Sequence, residues 1–109
     1  RLIATLRITE IAIGGTPGAA LLGPLTVDPD FAGQGYGRKL IAETLEQLKR
    51  DGLKLVVLVG DEPYYGRLGF KPVPLGQIKF SAPVNPARIL AVELAPDALA
   101  TYRGQIIAA

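Results

Sequence analysis

The run Asp28-Pro-Asp-Phe-Ala-Gly-Gln-Gly-Tyr-Gly-Arg38 decides how this chain folds. Its glycines at positions 33, 35 and 37 lie between a strand-like stretch and a stretch of helical periodicity. Glycine permits positive φ and lets a ligand approach the backbone closely. Free N–H groups at a helix start, together with the helix dipole, favour an anion. The run therefore predicts a strand-to-helix turn that binds an anionic group, with Arg38 adding a positive charge.

Two known glycine loops do not match this spacing. The dinucleotide fingerprint G-x-G-x-x-G would need a third glycine at position 40, where the chain has Leu40, and the phosphate loop needs a Gly-Lys pair that is absent. A tight turn without any ligand is the alternative interpretation. Three alternating glycines exceed what such a turn needs, so we favour a ligand.

The segments before the glycine run predict two strands. Residues 2–13 are rich in β-branched side chains, and apolar and polar residues alternate over part of the stretch. Residues 14–18 form a cluster of glycine and proline that predicts a turn. Residues 21–27 predict the second strand, with a bulge at Gly23-Pro24 because proline cannot donate to a strand ladder.

The segments after the run complete a β-α-β unit. In the stretch 38–51, five side chains fall within an arc of roughly 140° on a helix, namely Leu40, Ile41, Thr44, Leu45 and Leu48. Gly52 suits the helix end. Residues 55–59 are almost continuously apolar, which is typical of a parallel strand buried on both faces. A right-handed crossover therefore joins residues 21–27 to residues 55–59. Further predictions are a short helix over 63–68 and strands over 70–73 and 89–94, with residues 96–109 left unassigned.

Composition restricts the chemistry. With 109 residues, 49% of them hydrophobic and 20% charged, the chain is expected to fold as one domain. It contains no Cys and no His, which excludes disulfides, a Ser-His-Asp triad, a Cys-His pair and imidazole-based zinc sites. No apolar run approaches the roughly 18 residues of a membrane span, and no signal-peptide pattern is present. We expect a cytoplasmic protein without a membrane partner.

The positive charge is local. The net charge of +2 is carried by residues 38–54, where five basic residues stand against three acidic ones. Nucleic-acid binding would require a basic stripe interleaved with aromatic residues, and the aromatic content is only 6%. The pattern therefore favours a small phosphorylated ligand over a nucleic acid.

Two motifs of this chain resemble the GNAT superfamily of acetyl-CoA-dependent N-acyltransferases. Leu25-Thr-Val-Asp-Pro29, followed by Gly33-Gln-Gly-Tyr-Gly-Arg38 and an amphipathic helix, is similar to motif A of that family. Tyr64-Tyr-Gly-Arg-Leu-Gly-Phe70 resembles motif B, with its tyrosine four residues before Gly-Phe. The resemblance covers residues 21–73. The pattern Leu-Gly-Pro-Leu-x-Val with Val-Gly-Asp-x-x-Tyr-Tyr is similar to predicted acetyltransferases of the YhbS type.

The resemblance implies a fold and a reaction. The fold is α/β (α+β), a mixed, mostly antiparallel sheet with a central parallel β-α-β unit and a splayed cofactor cleft. The reaction is transfer of an acetyl group from acetyl-CoA to a primary amine, which attacks the thioester directly, so no protein nucleophile and no metal are needed. The acceptor would be a small-molecule or peptide amine, and a homodimer is compatible with the family.

The resemblance also implies roles for particular residues. Tyr65 aligns with the general acid that protonates the departing thiolate. Backbone groups of one strand segment would hold the pantetheine arm, and amides of the glycine run would bind the pyrophosphate. The expected cofactor-binding residues are Leu25, Thr26, Val27, Gly33, Gln34, Gly35, Tyr36, Gly37 and Arg38.

The chain departs from the family pattern at three points. Ala32 stands where the family has Gln or Arg, which predicts weaker pyrophosphate binding. Residues 60–63 lack the Asn common at the start of the motif B helix. The family also has a strand and two helices before the point where residues 1–109 begin, so we expect an N-terminally incomplete domain.

Alternative interpretations remain beside these expectations. The whole chain could be a non-catalytic acyl-CoA-binding sensor or regulatory module, or a structural piece that completes the sheet of a dimer. Tyr65 could be a half-buried core residue, and Tyr64 is interpreted as a packing residue. Asp61 and Glu62 could bind a cationic acceptor or lie in a solvated loop, and Arg88 is interpreted as an ordinary surface charge.

Overall fold

The computed structural model describes residues 3–109. Within these residues, seven strands form one sheet in the order β4-β6-β3-β2-β1-β7-β5, and two α-helices accompany it. In chain order the elements are β1 (Ala4–Ile13), β2 (Thr16–Val27), α1 (Tyr36–Arg50), β3 (Leu55–Val59), α2 (Glu62–Tyr65), β4 (Lys71–Pro72), β5 (Ile78–Lys79), β6 (Ile89–Glu93) and β7 (Gly104–Ala108).

The predicted β-α-β unit lies at the centre of the sheet. β2 and β3 are parallel and adjacent, with α1 as the crossover between them. The pairs β1–β2, β1–β7, β3–β6 and β4–β6 are antiparallel, and the short β5–β7 pair is parallel. This arrangement confirms the mixed, mostly antiparallel sheet.

The first hairpin is longer than the sequence predicts. Leu2, which the prediction included in β1, lies outside the described residues. The prediction of a turn over 14–18 is wrong for its last three residues, because β2 already begins at Thr16 and the turn is only Gly14-Gly15. Between the pairs Ile13–Thr16 and Ile11–Ala19, the two residues Pro17 and Gly18 of β2 face a single residue of β1. The register of the hairpin therefore shifts by one residue at this point.

The predicted bulge at Gly23-Pro24 is confirmed. The register of β1 against β2 changes between the pairs Ile8–Leu22 and Leu6–Leu25, so two residues of β2 face one of β1. The Gly23–Pro24 peptide bond is cis. A bulge re-aims the strand that carries it, and this one lies immediately before Leu25, where the cofactor segment is expected to begin.

The remaining boundaries differ by a few residues. Helix α1 spans 36–50 instead of 38–51, and it starts two residues earlier because Gly35 is its N-cap. The predicted helix over 63–68 is the single α-turn α2 followed by a 3-10 turn, Gly66–Leu68. The strand predicted over 70–73 is reduced to β4, and β6 ends one residue before the predicted position 94. The unassigned C-terminal stretch contains β7.

The sheet is covered on both faces. On one face, α1 packs through Ile41 and Leu48 against a cluster that includes Val56 and Leu58. On the other face, the long connection after β4, residues 73–88, covers Leu55 and Val57, together with other residues of the central strands. The alternation along β3 explains its continuous apolar sequence: residues 55–58 are all buried. Neither helix in residues 3–109 has the length and apolar character needed to cross a bilayer.

Candidate functional site

The two central parallel strands part near their carboxyl ends. β2 pairs with β3 only from Ala19 to Leu21. From Leu22 to Val27, the edge of β2 that faces β3 has no strand partner within residues 3–109. A strand edge without a partner presents unpaired N–H and C=O groups, so it can pair with an extended ligand.

A small cleft occupies the gap between these strands. It encloses about 50 Å³, and among the described residues that line it only Tyr65 has a titratable side chain. The lining residues are Leu6, Leu22, Gly23, Pro24, Leu25, Ile41, Leu58, Val59 and Tyr65. The side chains that line the cleft are thus apolar except for the phenol of Tyr65.

A second, larger cavity lies at the start of α1 and is called the cradle below. It has a volume of about 240 Å³ and is lined by Val27, Phe31, Ala32, Gly33, Gly35, Tyr36, Gly37, Arg38 and Tyr64. The first helical hydrogen bond runs from the Lys39 N–H to the Gly35 carbonyl, 3.0 Å. The amides of residues 36–38 precede that bond, and such amides are available to a ligand.

The geometry of the cradle suits an anion. Gly35 lines the cradle and caps α1 in the left-handed region with φ of 82°, and a Cβ placed on it would meet nothing within 4 Å, so the space at this position is open. Arg38 lines the cradle, and within the described part of the chain it forms no salt bridge. Helix dipole, free amides and a guanidinium therefore act together on one cavity.

Gly37 has a different role from Gly35. It is buried, and a Cβ on it would lie 3.2 Å from Leu25 Cδ2 and 3.2 Å from Val27 Cγ2. This glycine lets the first turn of α1 approach the end of β2 closely. The alternating glycines thus combine ligand access with tight helix-strand packing.

The structure brings most of the predicted cofactor residues together. Val27, Gly33, Gly35, Tyr36, Gly37 and Arg38 line the cradle, and Leu25 lines the cleft. Thr26 and Gln34 are exposed and line neither cavity. Ala32, which replaces the family Gln or Arg, lies at the cradle.

Tyr65 has one side in the core and one side in the cleft. Its ring lies edge-to-face with Phe70 at 6.0 Å and with Tyr64 at 4.8 Å. It packs against the α1-side core cluster and also lines the cleft. A core position and a position at the cleft, stated as alternatives for Tyr65, therefore hold together. Burial raises the pKa of its hydroxyl, and Tyr64 and Asp61 raise it further while Arg88 opposes them. A raised pKa keeps the phenol protonated, as a proton donor requires.

Two features of the site were missed by the sequence analysis. Tyr64, interpreted there as a packing residue, lines the cradle. Arg88, interpreted as an ordinary surface charge, forms a salt bridge of 3.0 Å with Asp61 just before α2. The sequence of motif B could have indicated the position of Tyr64, because adjacent residues on a helix point about 100° apart, so Tyr64 and Tyr65 face different directions. The Arg88–Asp61 salt bridge joins residues 27 positions apart, so no local sequence pattern predicts it.

Comparison with known proteins gives consistent matches. The family model described as acetyltransferase (GNAT) domain matches residues 2–72. The uncharacterized N-acetyltransferase YhbS of Escherichia coli (strain K12) is 33% identical over 85 residues, which are 78% of this chain and 51% of the relative. The chain thus spans about half the length of this curated relative.

Solved structures match over nearly the whole chain. The GNAT family N-acetyltransferase YhbS from Escherichia coli, in complex with CoA, has a TM-score of 0.89 and 28% identity, covering 99% of this chain and 61% of that one. A GNAT family acetyltransferase from Brucella melitensis, in complex with acetyl-CoA, has a TM-score of 0.74 and 31% identity, covering 98% and 58%. With the splayed strands and both motifs in place, these matches show that the chain belongs to the GNAT family of acetyltransferases.

Proposed function

We propose that this chain binds acetyl-CoA along the cradle and the cleft and transfers the acetyl group to a primary amine of a small molecule or peptide. The observation that carries the proposal is the parting of β2 and β3 after Leu21, between the start of α1 and the side chain of Tyr65. The complexes of the two similar proteins with CoA and acetyl-CoA support the choice of ligand.

The residues present fit the two ends of this ligand. The amides of residues 36–38 and the Arg38 guanidinium would hold the pyrophosphate. The unpaired edge of residues 25–27 would pair with the amide groups of the pantetheine arm, as a strand would. The ligand would supply an activated acyl carbonyl beside the Tyr65 side chain, which lines the cleft.

The proposed step needs no covalent enzyme intermediate. The neutral amine of the acceptor forms the new C–N bond at the thioester carbonyl carbon, and the C–S bond breaks. Tyr65 donates its hydroxyl proton to the departing sulfur, and the amine gives up one proton to solvent. Tyr65 then recovers a proton from solvent, so charge and protons balance over one turnover.

The binding part of the proposal is tested by calorimetry with two ligands. Acetyl-CoA carries the phosphates and acetyl-pantetheine does not, so the cradle should make the first bind more tightly. Gly35→Val fills the open space before the amides and strains a φ of 82°. We expect it to weaken acetyl-CoA binding by about tenfold or more.

A matched control separates strain from ligand exclusion. Gly52, at the other end of α1, has φ of 86°, and a Cβ placed on it would likewise meet nothing within 4 Å. Gly52→Val should cost similar stability without changing affinity. Equal affinity of the wild type for both ligands, or an unchanged affinity in Gly35→Val, would contradict the proposed cradle.

The catalytic part is tested by thiol release against a panel of amines. Acetyl-CoA binding accompanied by amine-dependent thiol release supports transfer. Binding without release from any amine would instead favour the non-catalytic acyl-CoA-binding module. No binding at all would favour a structural role in a larger sheet.

A further inference from the structure

The geometry points to Tyr64 as a ligand-binding residue of the cradle: we propose that its hydroxyl donates a hydrogen bond to a phosphate oxygen of the bound cofactor. This inference rests on the proposed function, since it adds a side-chain contact to the same ligand. It assigns the two adjacent tyrosines to different ends of that ligand.

The rings of Tyr64 and Tyr65 lie side by side but line different cavities. Tyr64 and Tyr65 are neighbours on α2, and their rings meet edge-to-face at 4.8 Å and 72°. Tyr65 lines the cleft, whereas Tyr64 lines the cradle, and the two cavities have no described lining residue in common. The single turn of α2 therefore presents one phenol to each cavity.

The Tyr64 hydroxyl lies close to Gly37, in the first turn of α1. A Cβ placed on Gly37 would lie 2.8 Å from the Tyr64 hydroxyl oxygen. The same Cβ would lie 3.2 Å from side-chain carbons of both Leu25 and Val27. The Gly37 amide is one of those that precede the first helical hydrogen bond of α1. The hydroxyl thus lies where the end of β2 meets the start of α1, between the cradle and the unpaired strand edge.

The Tyr64 hydroxyl is available to bind a ligand. Tyr64 is 38% exposed, and among residues 3–109 its hydroxyl has no hydrogen-bond partner. A phenol donates readily to phosphate oxygens, and hydrogen bonds to a charged acceptor are among the stronger ones.

The test compares Tyr64→Phe with the wild type, using CoA and pantetheine as ligands in calorimetry. Phenylalanine keeps the ring and its contact with Tyr65, so only the hydroxyl is lost. We expect CoA affinity to fall by about tenfold and pantetheine affinity to stay unchanged. In turnover, KM for acetyl-CoA should rise while kcat changes little, unlike a substitution of the proton donor.

Tyr102→Phe is the matched control. It also removes one tyrosine hydroxyl, which donates to the Pro17 carbonyl at 2.6 Å in the opposite core cluster. It should lower the melting temperature without changing CoA affinity. A melting curve of Tyr64→Phe shows whether that variant keeps the wild-type fold.

The outcomes distinguish this inference from the proposed function. If the wild type prefers CoA to pantetheine but Tyr64→Phe binds CoA as the wild type does, the inference is wrong and the proposed cradle stands. If Tyr64→Phe loses affinity for both ligands equally, the hydroxyl does not contact phosphate and the inference is again overturned. If the wild type binds neither ligand, both fail together.

Discussion

At the scale of single residues, Tyr65 packs against the core, and it is also the proposed proton donor. Its ring contacts Phe70 and lies so close to Gly60 that a Cβ on Gly60 would be 2.9 Å from Tyr65 Cδ2. Gly60 thus lets the ring approach the end of β3 closely. The same ring lines the cleft. A fixed ring position is what a proton donor needs, because proton transfer depends on geometry before acidity.

Tyr65→Phe tests this assignment. The variant keeps the ring contacts, so its melting temperature should stay near that of the wild type. If Tyr65 is the general acid, kcat should fall by roughly 10²–10⁴-fold, with little change in KM for acetyl-CoA. Steady-state kinetics with an active amine acceptor make the measurement. A loss smaller than threefold would return Tyr65 to a packing role only.

At the scale of elements, the long connection after β4 depends on one buried amide. Gln77 is 6% exposed, and its Nε2 donates to the carbonyls of Leu99 at 2.8 Å and Tyr102 at 2.9 Å. Its own backbone carbonyl accepts from the Gly104 N–H at 2.8 Å, at the start of β7. One residue therefore joins the segment before β5 to the turn before β7.

Gln77→Leu should loosen this connection. It leaves the Tyr102 carbonyl without its buried side-chain donor, while the Leu99 carbonyl keeps the Tyr102 N–H as a donor at 3.2 Å. An unsatisfied buried carbonyl costs about 2 kcal/mol of unfolding free energy. In a domain of about this size, the melting temperature should fall by roughly 10 °C. Gln47→Leu is the control, since Gln47 makes only an exposed hydrogen bond to Asp51 within one helix end. Equal melting temperatures for the two variants would show that the Gln77 bonds contribute nothing.

At the scale of the whole molecule, each face of the sheet holds one tyrosine with a shifted pKa. Tyr65 packs against the α1-side cluster and Tyr102 belongs to the opposite one. Burial raises the pKa of both hydroxyls above the ordinary 10.0. The unfolded chain then loses these protons at a lower pH than the folded protein does. The contribution of both groups to stability is full below pH 10.0 and is lost as pH rises through the folded pKa values.

We therefore expect the unfolding free energy to fall as pH rises above 10.0. Urea unfolding at a series of alkaline pH values measures this, with each tyrosine replaced by phenylalanine in turn. Either variant should show a shallower decline than the wild type, and the double variant the shallowest. A decline of the same steepness in all four proteins would mean that other groups cause it.

The local features of this protein are encoded in short stretches of its sequence. The β-α-β unit, the bulge at Gly23-Pro24 and the anion-suited start of α1 follow from apolar periodicity and from the backbone preferences of Gly and Pro. Those properties act within a few residues, so a single stretch of sequence carries them. The GNAT resemblance then added the expected cleft, which the parting of β2 and β3 displays.

Contacts between distant residues, by contrast, depend on how the whole chain packs. β5 contains two residues, Ile78 and Lys79, too few for a periodic signal, and it exists because β7 lies beside it. The Arg88–Asp61 salt bridge and the Tyr64 hydroxyl at Gly37 join parts of the chain 27 residues apart. Such contacts depend on how complete elements pack against each other, and no nearby residue encodes that packing.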